Sequence, residues 1–307
     1  MPKRFLIACD ALEKEEPIPP SVASMARHFD AEVVLVNVAP QVPRSWLFRE
    51  VLREEAQTSL MATRKQQLER LARKMRGVPT RTLVRQGVPH VEIVCAAIEE
   101  RCDLVVVIDD PRLRDRGSSF GMTTMRLMRK CPLPVWAVRR DSRRPRRVMA
   151  AVDVPLDGKD DDGLNHRVLQ LALTFTPPSA APLTVMHAWS LWGEHMLAAP
   201  GRMRPDELAE ALADTEREHK RALEAVVEAE SVDLGSVRLE LVKGDATFVV
   251  PRVVARKKID LLVMGTVART GLPSLLMGNT AERILNQVTC SVIAVKPPHF
   301  VSPIASA

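Results

Sequence analysis

At 307 residues the chain is long enough for about two domains on a prior of roughly 150 residues each, and its 46% apolar content supplies both with a core. No apolar run approaches the roughly 20 residues that cross a bilayer, and the run from Phe5 to Ala8, closed by Asp10, is too short for a secretory signal, so a cytoplasmic protein is expected. Cys9, Cys95, Cys102, Cys131 and Cys290 are odd in number and form no C-x-x-C pair, which argues against a disulfide framework or zinc knuckle and predicts buried thiols.

The first strands expected are Arg4 to Cys9, Glu32 to Val38, Thr80 to Arg85, Leu104 to Ile108 and Val135 to Val138, all short runs rich in Val, Leu and Ile that read as buried. Helical periodicity separates them. The longest helix is predicted from about Arg44 to Arg76, with Leu60, Leu68, Leu71 and Met75 mainly on one stripe. Strands that alternate with helices need crossover connections, hence a parallel sheet covered on both faces.

From Arg139 to Arg147, six of nine residues are arginine, and this stretch reads as a solvated linker. A polyanion contact is the alternative, but no aromatic residue interleaves the arginines to stack on bases, so nucleic acid is not an expected partner. The net charge of +6 arises here and in the first half, because residues 148–307 carry 16 basic against 20 acidic side chains.

The pattern then repeats in Arg147 to Val152, Leu183 to Ala188, Val237 to Val242, Leu261 to Met264 and Val292 to Val295. At a shift of 157 residues Gly87 meets Gly244, Asp103 meets Asp260, Gly121 meets Gly278, Thr123 meets Thr280, Arg126 meets Arg283 and Val138 meets Val295. The shift falls to 143 near the N-terminus, where Asp10 meets Asp153. Duplication is the simplest cause. The expected fold is therefore α/β: two tandem doubly wound domains, 1–142 and 143–307, each a five-stranded parallel sheet of order 3-2-1-4-5 with helices on both faces. The short apolar fifth strands, Val135 to Val138 and Val292 to Val295, should meet at an intramolecular pseudo-twofold interface, since left exposed they would invite aggregation. A homodimer beyond this is left open.

In such sheets ligands bind beyond the carboxyl ends of the strands where strand order reverses, here after strands 1 and 4 of each half. In the second half Asp153 follows strand 1, and strand 4 leads into Gly265-Thr-Val-Ala-Arg-Thr-Gly271 and then Gly278-Asn-Thr-Ala-Glu282. Glycines there admit an anion to backbone N–H groups at the start of a helix. Asn279 with Glu282 also reads as a capping box. Arg269 and Thr280 add suitable donors, and His187, at the end of strand 2, reads as a packed histidine within reach of a ligand.

The stretch from Met264 to Glu282 resembles the G-x2-G-x9-G-[S/T] signature of the universal stress protein family, and Leu127-Met-Arg-Lys-Cys-Pro-Leu-Pro-Val-Trp136 is similar to its tandem, E-type branch. The resemblance covers nearly the whole chain. It implies a phosphate-binding loop, with an Asp after strand 1 and a backbone position near the end of strand 2 holding ribose and adenine. Carried onto this sequence, that nucleotide site is Asp153, Ala188, Gly265, Ala268, Gly271, Gly278 and Asn279. Ala268 stands at the second glycine of the signature and Asn279 at its Ser or Thr.

In the first half Ile108 occupies the place of Gly265, followed by Asp109 and Asp110. Like charges ~4 Å apart repel by about 4 kcal/mol at an effective dielectric near 20, enough to abolish a micromolar phosphate site. These carboxylates are expected to pair with Arg112, Arg114 or Arg116, in preference to collecting a divalent cation with Asp10. The run Asp157 to Gly163 has the wrong register for a calcium loop. No catalytic motif assembles a nucleophile with its base, so no enzyme and no metal are expected. The function expected is stress-response binding of ATP, another adenine nucleotide or a related phosphate-bearing small molecule by the second domain. The competing readings are a scaffold that binds no nucleotide and acts through protein contacts, and a weak ATPase.

Overall fold

The computed structural model describes residues 1–9, 18–42, 50–109, 119–154, 156, 163–267 and 277–304. The first half runs β1 (Arg4–Ala8), α1 (Pro20–His28), β2 (Glu32–Ala39), α2 (Glu50–Lys74), β3 (Thr80–Gln86), α3 (Pro89–Glu99), β4 (Leu104–Asp109), α4 (Met122–Lys130) and β5 (Val135–Arg139). The second runs β6 (Val148–Ala151), α5 (Leu164–Phe175), β7 (Thr184–Trp189), α6 (Glu194–Leu197), α7 (Pro205–Glu228), β8 (Arg238–Lys243), α8 (Ala246–Lys257), β9 (Leu261–Gly265), α9 (Asn279–Leu285) and β10 (Ser291–Val295). Among the described residues no helix is long and apolar enough to cross a membrane.

One ten-stranded sheet carries the order β3-β2-β1-β4-β5-β10-β9-β6-β7-β8, so each half has the expected 3-2-1-4-5 arrangement. The unbroken apolar strands feed two cores at once. Phe5 and Ile7 of β1 join the core beneath α1, α2, α5 and α7, while Leu6 and Ala8 join the one beneath α3, α4, α8 and α9. Strands β3 and β8 differ from the expectation of burial. Among the described residues they are the outer edges of the sheet, each with a neighbouring strand on one side alone, and most of their side chains are half-buried.

The repeat is visible in register. Leu6 opposes Val105 as Met149 opposes Leu262, and Val105 opposes Val135 as Leu262 opposes Val292. Two of the matched residue pairs have a structural cause. Asp103 accepts the backbone N–H groups of Lys3 and Arg4 at 2.7 and 2.9 Å, and Asp260 accepts those of Arg146 and Arg147 at 3.0 and 2.9 Å. Each carboxylate thus ties down the entry to the first strand of its half. Gly87 and Gly244 lie at φ +147° and +133°, a backbone region that side chains strain to adopt.

The two halves join through β5 and β10, which run antiparallel with Ala137, Trp136 and Val135 opposite Val292, Ile293 and Ala294. All six are essentially buried. Fully burying a large apolar side chain contributes about 1.5–3 kcal/mol, so the seam is a major part of the core. Phe175 of the second half touches Trp136 and Phe29 of the first edge-to-face, at 5.1 and 5.2 Å between ring centroids.

Candidate nucleotide site

Strands β6 and β9 are neighbours, and beyond their carboxyl ends opens a cavity of about 570 Å³. Asp153, Ala188, Gly265, Gly278, Asn279 and Thr280, all selected from the sequence, line it. They come from four separate segments of chain, and the crossover topology is what brings them together. Ala268, Arg269 and Gly271 lie outside the described residues, as do Asp10, Asp110, Arg112, Arg114, Arg116 and positions 157–162.

Gly265 ends β9 where the first turn of α5 leans over the sheet. A Cβ placed there would stand 2.5 Å from Leu164 Cδ2, so a larger residue would force the Leu164 side chain to shift. Asp153 is fixed through its main chain: its N–H donates to Asn165 Oδ1 at 3.2 Å, and Asn165 Nδ2 donates to its carbonyl at 2.7 Å. Asn165 is itself buried and lines the cavity. It occupies a place in the apolar stripe of α5 with Val168, Leu169 and Ala172, and a polar residue interrupting such a stripe was the signal available in the sequence.

His187 also lines the cavity. Its Nδ1 lies 3.2 Å from the Val152 carbonyl, which requires the proton on that nitrogen, and its Nε2 lies 2.9 Å from His219 Nδ1. With both rings neutral, His219 is then the donor. Burial holds the His219 pKa below the ordinary histidine value, against the opposing pull of Glu218 and Asp153. His219 was not anticipated, although it heads the buried α7 stripe that continues through Leu223 and Val227.

The start of α9 corrects the capping-box expectation. Gly278 is the cap, its carbonyl accepting the Glu282 N–H at 3.0 Å, and Asn279 is the first helical residue with no side-chain cap bond. Glu282 reaches across the seam to Arg129 at 3.1 Å.

The equivalent place in the first half is built differently. Ile108 opposes Val138 as Gly265 opposes Val295, which confirms that an isoleucine replaces the glycine. Asp109 is buried and pairs with Arg139 Nη1 at 2.6 Å. The partner comes from the adjacent strand, where Arg139 stands opposite Asp109. That guanidinium also donates to the carbonyls of Ser119 in its own half and of Val288, Thr289 and Cys290 in the other, and it stacks over Phe120. Asp109 therefore serves the junction between halves. Among the described residues no cluster of three or more His, Cys, Asp or Glu could hold a metal ion.

A tandem α/β protein whose two halves share one strand order, with a cavity beyond the carboxyl ends of β6 and β9 in the second, is the class these features define. The chain belongs to the universal stress protein family, whose model matches residues 1–139 and again 145–296. It is 25% identical over 219 residues to universal stress protein E of Salmonella typhi, covering 70% of this chain and 68% of that one. Against the universal stress protein E homolog of Haemophilus influenzae the identity is 26% over 204 residues, with 64% and 62% covered. A functionally unknown protein from Pseudomonas aeruginosa PAO1 has the same fold at a TM-score of 0.66 and 21% identity, covering 97% of this chain and 93% of that one. A universal stress protein from Archaeoglobus fulgidus gives 0.60 and 15%, covering 95% and 98%.

Proposed function

We propose that the second half binds an adenine nucleotide, or another small molecule carrying phosphate, and that it does so as a stress-response binding protein without dedicated catalysis. The observation that carries this reading is the convergence of Asp153, Ala188, Gly265, Gly278, Asn279 and Thr280 on one cavity. Its volume of about 570 Å³ falls within the range of about 300–1,000 Å³ usual for small-molecule sites. Met186, Val250 and Met264 give it an apolar wall suited to a base, Asp153 a carboxylate for ribose hydroxyls, and Ala188 a backbone edge for the base. Gly278 and Thr280 stand where a phosphate chain would end.

The contrast between the halves supports placing the ligand in the second. In the first, Ile108 adds bulk and Asp109 is committed to Arg139. Mass spectrometry of small molecules released on denaturing the purified protein tests the proposal. A co-purified adenine nucleotide or phosphorylated metabolite is expected; an unrelated amphiphile, or nothing retained and no ATP bound on addition, would overturn it.

A further inference from the structure

The arginine-rich linker closes a second cavity, of about 510 Å³, at the seam between the halves. Its walls come from both: Ser21, Trp136 and Arg139 from the first, Thr289 and Ser291 from the second, with residues 141–146 across the opening. The linker is held in place and does not trail in solvent. Ser142 Oγ lies 2.6 Å from Ser21 Oγ, the Ser21 N–H donates to the Ser142 carbonyl, and Asp260 takes the backbone N–H groups of Arg146 and Arg147.

Charge in this cavity is not balanced. Arg139, Arg143, Arg144 and Arg146 line it against two carboxylates, Asp141 and Asp260. Arg139 is neutralised by Asp109, and Asp260 is engaged by main-chain N–H groups. Among the described residues the side chains of Arg143, Arg144 and Arg146 form no ion pair. Two buried donors at the same cavity also lack an acceptor, Arg144 Nε and the indole N–H of the wholly buried Trp136. Buried donors are nearly always satisfied in folded proteins, so orphans that share a cavity with uncompensated guanidinium groups mark a place for a ligand rich in acceptor oxygens. Guanidinium forks match phosphate geometry with paired N–H donors.

We propose that this cavity binds an oligophosphate, whether a free inorganic chain or the phosphate tail of a nucleotide, independently of the site beyond β6 and β9. Because both halves line it, the bound anion bridges the seam and stabilises their docking. A single phosphate would leave part of the arginine charge unmatched, whereas a chain of two or three can meet Arg143, Arg144 and Arg146 together.

Calorimetric titration of the full-length protein with inorganic triphosphate, and in parallel with ATP, tests this. Wild type should bind triphosphate, and the triple variant Arg143→Ala/Arg144→Ala/Arg146→Ala should bind it at least tenfold more weakly, with Lys at all three positions restoring part of the affinity. Arg143 and Arg146 are exposed, so their loss should leave the fold intact, which circular dichroism would verify. Asp153→Ala should leave triphosphate binding unchanged, separating this site from the proposed nucleotide cavity. ATP binding that survives Asp153→Ala and is lost in the triple variant would assign the nucleotide tail as a source of the anion. Absence of triphosphate binding to wild type, equal binding to the triple variant, or loss through Asp153→Ala alone would each overturn the proposal.

Discussion

Replacing Lys296 with Met should stabilise the protein below neutral pH, and the gain should fade as pH rises. The 157-residue shift that relates the halves places Lys296 where the first half has Arg139, and Thr266 where it has Asp109. The second half has thus kept the cation and lost its carboxylate. Lys296 is 2% exposed, its Nζ donates to Thr266 Oγ1 at 2.7 Å, and the Phe300 ring lies 4.9 Å away. Cys131 stays a neutral thiol up to about 12, and Arg129 adds like charge. Arg167 comes close as well, donating to the Lys296 carbonyl at 2.8 Å. Burial, the largest cause, pushes the Lys296 amine from 10.5 down to about 7.

An amine with a depressed folded-state pKa penalises folding in full below about pH 7, and the penalty is relieved as pH climbs toward the unfolded value of 10.5. The full penalty corresponds to about 5 kcal/mol, and the part relieved between about pH 6 and about pH 9 is about 3 kcal/mol. Met fills a similar volume and carries no charge, and Thr266 keeps the Val295 and Met128 carbonyls within reach of its hydroxyl. Urea unfolding of wild type and Lys296→Met at several pH values isolates the effect, because other titrating groups cancel in the difference. The variant should be more stable at about pH 6, by an amount that shrinks by about 3 kcal/mol at about pH 9. A pH-independent difference, or a variant less stable at about pH 6, would refute the reasoning.

The remaining predictions concern the seam and the ligand loop. Val135→Lys with Val292→Lys places two charges in the buried strand pair, and a marked fall in thermal midpoint or aggregation on expression is expected; unchanged stability and solubility would deny the seam its role. Arg139→Ala leaves Asp109 buried and strips donors from three carbonyls of the other half, which should cost about 3–5 kcal/mol by chemical denaturation, with Asp109→Asn in the same chain recovering part of it. Ala268→Gly removes a methyl from the loop that the family signature assigns to phosphate, and calorimetry should show ATP bound about 1 kcal/mol more tightly.

Much of the fold was legible because apolar strands of four to eight residues, alternating with longer amphipathic stretches, admit little besides a covered parallel sheet. The ten strands fall within a residue or two of the runs read from the sequence. What sequence could not show was edge position: Leu83 and Val84 of β3 look like core residues, yet among the described residues the strand has no outer neighbour. The candidate site was legible where backbone geometry constrains residue type, as at Gly265, and where a polar residue follows a strand, as at Asp153. It was obscure where a partner comes from far along the chain. Asp109 pairs with Arg139, 30 positions away, because β4 and β5 are neighbours. Asn165 and His219 lie in line with apolar residues, Val168, Leu169 and Ala172 in α5 and Leu223 and Val227 in α7, so periodicity alone does not mark them. The linker showed its charge, but not the buried tryptophan and the second-half residues that wall its cavity.

The central claim, that a nucleotide is held at the carboxyl edge of the second half and not at that of the first, is tested most directly by calorimetric titration of ATP into wild type, Asp153→Ala and Asp10→Ala. The two aspartates occupy matching positions after the first strand of each half in the sequence repeat. Binding to wild type, substantially weakened by Asp153→Ala and untouched by Asp10→Ala, is the predicted outcome. Loss of binding through Asp10→Ala with Asp153→Ala unaffected, or an ATP affinity indifferent to both, would contradict it.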